Sequence, residues 1–155
     1  MLKVYCGIDP GQTGALAIII EDSGAIYPEI WDFEEISDGV SRLKFLNEAH
    51  PCHALIEKQQ AFPGQGISSS FKLGENYGWW RGALQGIAVS YEIVTPAKWR
   101  KEIFDSMPKQ KDKKKMSLNM ARRLFPKMED ELKRKGDHGR AEALLLAELA
   151  RRKDK

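Results

Sequence analysis

Leu2-Lys3-Val4-Tyr5-Cys6-Gly7-Ile8-Asp9-Pro10-Gly11-Gln12-Thr13-Gly14 opens the chain, and its reading decides the fold. Apolar residues alternate as far as Asp9 and a Pro-Gly turn follows, which predicts a β-strand feeding a tight loop. The next six residues, Ala15-Leu16-Ala17-Ile18-Ile19-Ile20, are apolar throughout, the pattern of a central strand covered on both faces. Glu21-Asp22-Ser23-Gly24 then makes a turn and Ala25 to Phe33 a third strand, so the opening reads as an antiparallel meander. Asp9 is the anomaly. A carboxylate closing an apolar inner strand is costly unless something cationic meets it.

Downstream, Ser37 and Asp38 can cap a helix whose apolar face is Val40, Leu43, Leu46 and Ala49. His53 to Ile56 returns as a short strand that ends on Glu57, and the Gln-, Gly- and Pro-rich stretch 58–66 is expected to be a mobile loop. Ser68 to Ile87 predicts a long helix in which Gly74, Gly78, Gly82 and Gly86 recur every four residues. An interior helical glycine costs about 0.5–1 kcal/mol relative to alanine, so a face of four implies close backbone approach. The expectation is that this face lies against the sheet, leaving Tyr77, Trp80 and Leu84 for a subunit contact.

Val89 to Val94 is a further strand, and Thr95-Pro96 combines a cap with proline at the first helical position. The short helix so started carries Lys98, Trp99, Arg100 and Lys101. The basic run Lys109 to Lys115 leads into a helix through Ser117, Met120, Ala121 and Leu124 that Pro126 stops. A last helix is expected from near Gly139 to about Arg152, with Ala141, Leu144, Leu145, Ala147 and Leu149 as its apolar stripe. Strands first, then strands alternating with helices, predict a mixed α/β sheet flanked by helices. At 155 residues, a single domain spanning 1–155 is the simplest organisation and is large enough to bury a core.

The charge is unevenly placed. Residues 1–80 hold five Lys/Arg against eleven Asp/Glu, and residues 81–155 hold twenty against eleven. A basic second half points to a polyanionic partner. Cys6 and Cys52 lie in apolar contexts without metal-binding spacing and read as reduced core residues. No apolar run approaches the length of a membrane span and no signal peptide is evident, so the expected location is the cytoplasm.

Asp9, Glu57 and the segment Asp137-His138-Gly139-Arg140-Ala141-Glu142 are the candidates for chemistry. Each acid alone has an ordinary explanation as a turn former, an exposed strand end or a helix N-terminal acid. Together, two strand ends and the first turn of a helix are how a chain gathers carboxylates for hard divalent cations. Phosphodiester hydrolysis by a pair of such ions needs a carboxylate shared between them, and Asp9 on an inner strand is the natural choice.

The motifs Gly7-Ile8-Asp9-Pro10-Gly11, Ile56-Glu57-Lys58, the helix from Lys72-Leu73-Gly74 to Gly82, Thr95-Pro96 with Trp99, and Gly139-Arg140-Ala141-Glu142-Ala143-Leu144-Leu145-Leu146-Ala147 resemble RuvC-type Holliday junction resolvases. The likeness is strongest to the phage-encoded branch, for which the host cytoplasm would be the location, and it covers nearly the whole chain. The resemblance implies a ribonuclease H-like fold, a homodimer, two Mg²⁺ or Mn²⁺ ions per active site, and paired cleavage of four-way and other branched DNA. Under it, Asp9 and Glu57 match the first two catalytic acids, and Glu142 the acid of the last helix, where the cellular enzymes have Asp. Those enzymes place an acid or His three positions earlier, where this chain has Gly139. Asp137 or His138 then takes that role, Asp137 ranking first because a carboxylate suits Mg²⁺ better than an imidazole.

Lys98, Arg100, Lys101 and the basic run that includes Lys113, Lys114 and Lys115 offer phosphate contacts, which give affinity but little sequence choice. Arg122 and Arg123 are further candidates. Phe62 would stack on an unpaired base at the branch point; the family has an aromatic closer to its Glu. Two other readings stand beside the nuclease. One is a junction-binding protein without turnover. The other is an actin-like ATPase-fold phosphate binder, because Asp9 to Gly14 resembles a phosphate loop.

Overall fold

The computed structural model describes residues 1–155. Its strands are Lys3–Asp9 (β1), Ala15–Asp22 (β2), Ala25–Asp32 (β3), Cys52–Glu57 (β4) and Ser90–Val94 (β5). They form a five-stranded sheet in the order β3-β2-β1-β4-β5. The meander β1-β2-β3 is antiparallel, while β4 pairs parallel with β1 and β5 parallel with β4. The helices are Ile36–Ala49 (α1), Ile67–Gly86 (α2), Pro96–Ile103 (α3), Lys113–Leu124 (α4) and His138–Lys153 (α5). The expected mixed α/β sheet flanked by helices is what forms. None of these helices is long and apolar enough to cross a membrane.

Side chains alternate across a strand, and here the alternation sorts the apolar residues into two cores. Val4, Cys6 and Ile8 of β1, Leu16, Ile18 and Ile20 of β2, and Ala54 and Ile56 of β4 pack with Leu43 and Leu46 of α1 and Trp80 and Leu84 of α2. Tyr5, Ala15, Ala17, Ile19 and Leu55 pack on the opposite face with α3, α4 and α5. Asp9 and Glu57 belong to the same alternating set as Tyr5 and Leu55, so the strand period directs both acids to the α5 face.

How deeply α5 sits is set by Gly7. A Cβ there would collide with the Ala143 carbonyl and the Ala147 amide, both backbone groups, so the helix rests directly on β1. All residues from Ala141 to Ala150 are buried. The expected one-sided stripe is therefore an understatement, and Glu148 is tolerated because Arg151 and Arg152 pair with it at 2.8 and 2.9 Å.

Two expectations are corrected. Glu35 is the N-cap of α1, no side chain caps it, and a short 3₁₀ turn over Phe33–Glu35 precedes it; Ser37 and Asp38 lie inside the helix. The faces of α2 are also the reverse of those expected. Trp80 and Leu84 are fully buried against the sheet, whereas an added Cβ at Gly74, Gly78, Gly82 or Gly86 would meet nothing within 4 Å. The large side chains won the sheet because burying them gains far more than burying glycine.

The seating of α5 is testable. Gly7→Ala forces a methyl group into immovable backbone, and a loss of about 3 kcal/mol is expected, read as a lower denaturant midpoint at unchanged slope. A wild-type midpoint would show that α5 does not approach β1 this closely.

Candidate metal centre

β1 and β4 are adjacent parallel strands in which Ile8 pairs with Ile56, so Asp9 and Glu57 emerge side by side at the same end. Glu142 lies one residue before Ala143, whose carbonyl abuts Gly7, and α5 thereby brings it to the same point. One carboxylate oxygen from each of Asp9, Glu57 and Glu142 lies within 4.8 Å of the other two, and all three residues are buried.

Each carboxylate is held. The Gly11 amide donates to Asp9 Oδ1 at 3.0 Å. Thr95 caps α3 by accepting from the Lys98 amide at 3.3 Å, and the helix so fixed presents Trp99, whose Nε1–H donates to Glu57 Oε2 at 2.5 Å. Gln59 donates to the other Glu57 oxygen at 3.3 Å. Glu142 Oε1 accepts from Arg100 Nη2 at 2.6 Å and has the Ser117 hydroxyl at 3.3 Å. The Arg100 guanidinium also stacks over the Trp99 ring, 4.8 Å from its centroid.

Burial pushes the Asp9 carboxyl up to about 7, the neighbouring Glu142 adds to the rise, and the Gly11 amide opposes it. Burial raises Glu57 as well, against the pull of the Trp99 hydrogen bond. These are carboxylates short of positive charge. An all-oxygen donor set of this kind suits Mg²⁺ or Mn²⁺, so the residues fit the metal expected of them.

Other expected residues fall elsewhere. Asp137 is buried but lies outside the cluster: its carboxylate accepts from the Arg134 amide at 2.7 Å and the Arg134 Nε at 3.2 Å. Burial works against its charge, yet the Arg134 bonds hold it below the usual carboxylate range. His138 begins α5 one turn before Glu142, and its Nδ1 is buried without a partner. Gly139 cannot be a ligand position, since a Cβ there would strike the Thr13 carbonyl.

Arg100 is not a surface cation beside Lys98 and Lys101 but a member of the site, its side chain 23% exposed. Lys98, Lys101, Lys113, Lys114 and Lys115 are exposed, as is Arg123, while Arg122 turns inward to the Leu132 carbonyl. Phe62 is exposed at the wall of a cleft of about 830 Å³ that Glu57, Gln60 and Gln65 also line. The Gly11 amide is bonded to Asp9, and the Gly14 amide donates to the Gly11 carbonyl, so neither is offered to a phosphate as the ATPase-like reading requires.

Sequence reading missed Trp99 and Ser117 as parts of the site. A buried tryptophan needs an acceptor for its N–H, and that was the available signal for Trp99. Nothing local distinguishes Ser117.

Comparison with known proteins bears on the fold and on the family resemblance. No protein-family model matches the chain. The Holliday junction resolvase MOC1, chloroplastic, of Chlamydomonas reinhardtii is 32% identical over 105 residues, 66% of this chain. The chain spans only 12% of that relative's length. Among solved structures, Thermus thermophilus RuvC in complex with a Holliday junction substrate aligns with a TM-score of 0.56 at 18% identity, over 94% of this chain and 90% of that one. A second Thermus thermophilus RuvC structure gives 0.55 at 20% identity, over 93% and 90%. The chain thus has the ribonuclease H-like fold of RuvC, and the resemblance to RuvC-type resolvases read from its motifs holds in sequence and in structure.

The raised Asp9 carboxyl fixes a pH dependence. Folded Asp9 keeps its proton to about 7, whereas in the unfolded chain it ionises near 4. Stability of the ion-free protein therefore falls as pH rises from about 4 to 7, Glu57 contributing in the same sense. Carboxylates held low, such as Asp137, act below that window. Asp9→Asn is expected to flatten the fall and to stabilise the ion-free protein by roughly 1–3 kcal/mol at pH 8. Thermal melts in chelator across pH check it; a destabilised Asp9→Asn protein at pH 8 would contradict the repulsion.

Proposed function

We propose that the chain is a metal-dependent endonuclease that resolves four-way and other branched DNA by paired phosphodiester cleavage, acting as a homodimer. The observation that carries this reading is the buried convergence of Asp9, Glu57 and Glu142 from two strands and a helix within 4.8 Å. These residues would hold two Mg²⁺ or Mn²⁺ ions, whose positive charge would activate water and stabilise the reacting phosphate. Asp9, on the middle strand of the sheet, would be the carboxylate best placed to serve both ions. Trp99 fixes one oxygen of Glu57, and Ser117 steadies Glu142. His138 would complete the set in place of Asp137, which Arg134 occupies: it stands outside the three-carboxylate group but lies four residues before Glu142, on the same helix face.

The DNA path follows from the exposed residues. Lys98 and Lys101 on α3 and Lys113, Lys114 and Lys115 in the first turn of α4 would contact phosphates, and Phe62 would receive an unstacked base beside Glu57. The test is cleavage of end-labelled four-way junctions in Mg²⁺ and in Mn²⁺. Wild-type protein is expected to give paired nicks. Asp9→Asn and Glu142→Gln should bind the junction but cut at least about 100-fold more slowly. Junction binding with no cutting by the wild type in either metal would leave the junction-binding reading in its place.

The dimer reading rests on α2. Ile67 and Phe71 are 91% and 67% exposed, and with Gly74, Gly78 and Gly82 they fall on one helix face by their spacing. Small residues beside apolar bulk permit a second helix to approach closely. Gly78→Leu improves helix propensity by up to about 1 kcal/mol, so a monomer would gain stability from it. Under the dimer reading the same change weakens self-association at least tenfold in sedimentation equilibrium. Unchanged association with a higher melting temperature would dismiss this face.

A further inference from the structure

We propose that Arg100 is a built-in counter-cation that competes with divalent metal for Glu142 and so sets the metal concentration at which the site fills. The inference rests on the reading of Asp9, Glu57 and Glu142 as the metal ligands. Arg100 Nη2 donates to Glu142 Oε1 at 2.6 Å, and the Ser117 hydroxyl lies 3.3 Å from that same oxygen. No other Lys, Arg or His forms an ion pair with Asp9, Glu57 or Glu142. Lys98 and Lys101, on the same short helix, are exposed, and Lys98 pairs with Glu92.

The guanidinium is placed, not merely near. Its Cζ lies over the Trp99 ring, 4.8 Å from the centroid, and Trp99 is itself bonded to Glu57, so one side-chain pair on α3 engages two of the three carboxylates. Its Nε is buried and bonded to nothing, which leaves the Glu142 contact as the bond that holds the group inward. Three converging carboxylates without metal need positive charge, and Arg100 supplies it from within. Once divalent cations occupy the carboxylates, a guanidinium against Glu142 becomes a like charge beside them. It must then release that oxygen and turn outward, where a DNA phosphate is its natural partner.

Two experiments on the DNA-free protein test this. In calorimetric titration with Mn²⁺, Arg100→Met, which keeps the length and loses the charge, is expected to bind at least tenfold more tightly than wild type. Arg100→Lys, which keeps the charge but not the planar stack, should fall between them. Introducing Arg100→Met into a Glu142→Gln background should give no further tightening. A crystal of the wild-type protein soaked in Mn²⁺ should show the guanidinium withdrawn from Glu142, a readout that survives if Arg100→Met does not fold. Equal or weaker binding by Arg100→Met, or a bound ion with the Arg100–Glu142 bond intact, overturns the proposal while leaving the metal site standing. Absence of Mn²⁺ from every protein and from the crystal overturns both.

Discussion

Mutual repulsion of three carboxylates in a space that excludes most water is the constraint around which this molecule is built. Left alone, such a group would separate or take up protons. The chain prevents separation by mounting the acids on its stiffest parts, two neighbouring inner strands and a helix buried along its length. It relieves the charge locally with an amide on Asp9, an indole N–H on Glu57 and a guanidinium on Glu142. The relief is incomplete, since Asp9 still holds its proton to about 7. A scaffold that keeps its acids this poorly neutralised has traded stability for affinity toward cations.

Three glycines convert that constraint into geometry. Gly7 lets α5 rest on β1, Gly14 lets the loop after β1 fold back on the Asp9 carbonyl, and Gly139 lets the start of α5 lie against Thr13. These approaches fix the height of Glu142 above the strand ends. They also explain a departure from the family pattern. With the Thr13 carbonyl filling the space beside residue 139, no side chain can project there. Under the proposed reading, a further ligand on this helix would come from His138, which stands outside the three-carboxylate group. At about 100° per residue, the position four before Glu142 lies about 40° from it around the helix and the position three before about 60° to the other side, so both share its face.

Most of this was legible in the chain. Period-two alternation in β1 and β2, the Pro-Gly turn after Asp9 and the Thr95-Pro96 start of α3 are local signals, and they located the sheet and the two strand-end acids. Glu142 was legible only as part of a motif. What was illegible depends on partners remote in sequence. Asp137 looked like a ligand because its neighbours did, but the choice between metal and Arg134 is made by a 3₁₀ turn that puts the Arg134 amide within 2.7 Å. Arg100 looked like a surface cation because it sits among Lys98 and Lys101; only the docking of α3 against α5 turns it inward. The faces of α2 were assigned the wrong way round because glycine spacing signals close approach without saying to what.

The corrected orientation of α2 has a consequence for how two sites would share one junction. Its Trp80 and Leu84 are spent on the core with α1, on the face of the sheet opposite α5. The three buried acids lie on the α5 face. A pair of chains joined through the outward faces of α2 would therefore keep both acid clusters away from the contact and open to DNA. At the same time the cleft between Glu57 and Leu73 couples the N-terminal half of α2 to the site. The helix that would fix the spacing between two cuts also lines the cleft beside Glu57. Displacing it on junction binding would then move the Phe62 loop relative to a fixed Glu57, so the two chains need share no site residue for each to sense the other's engagement.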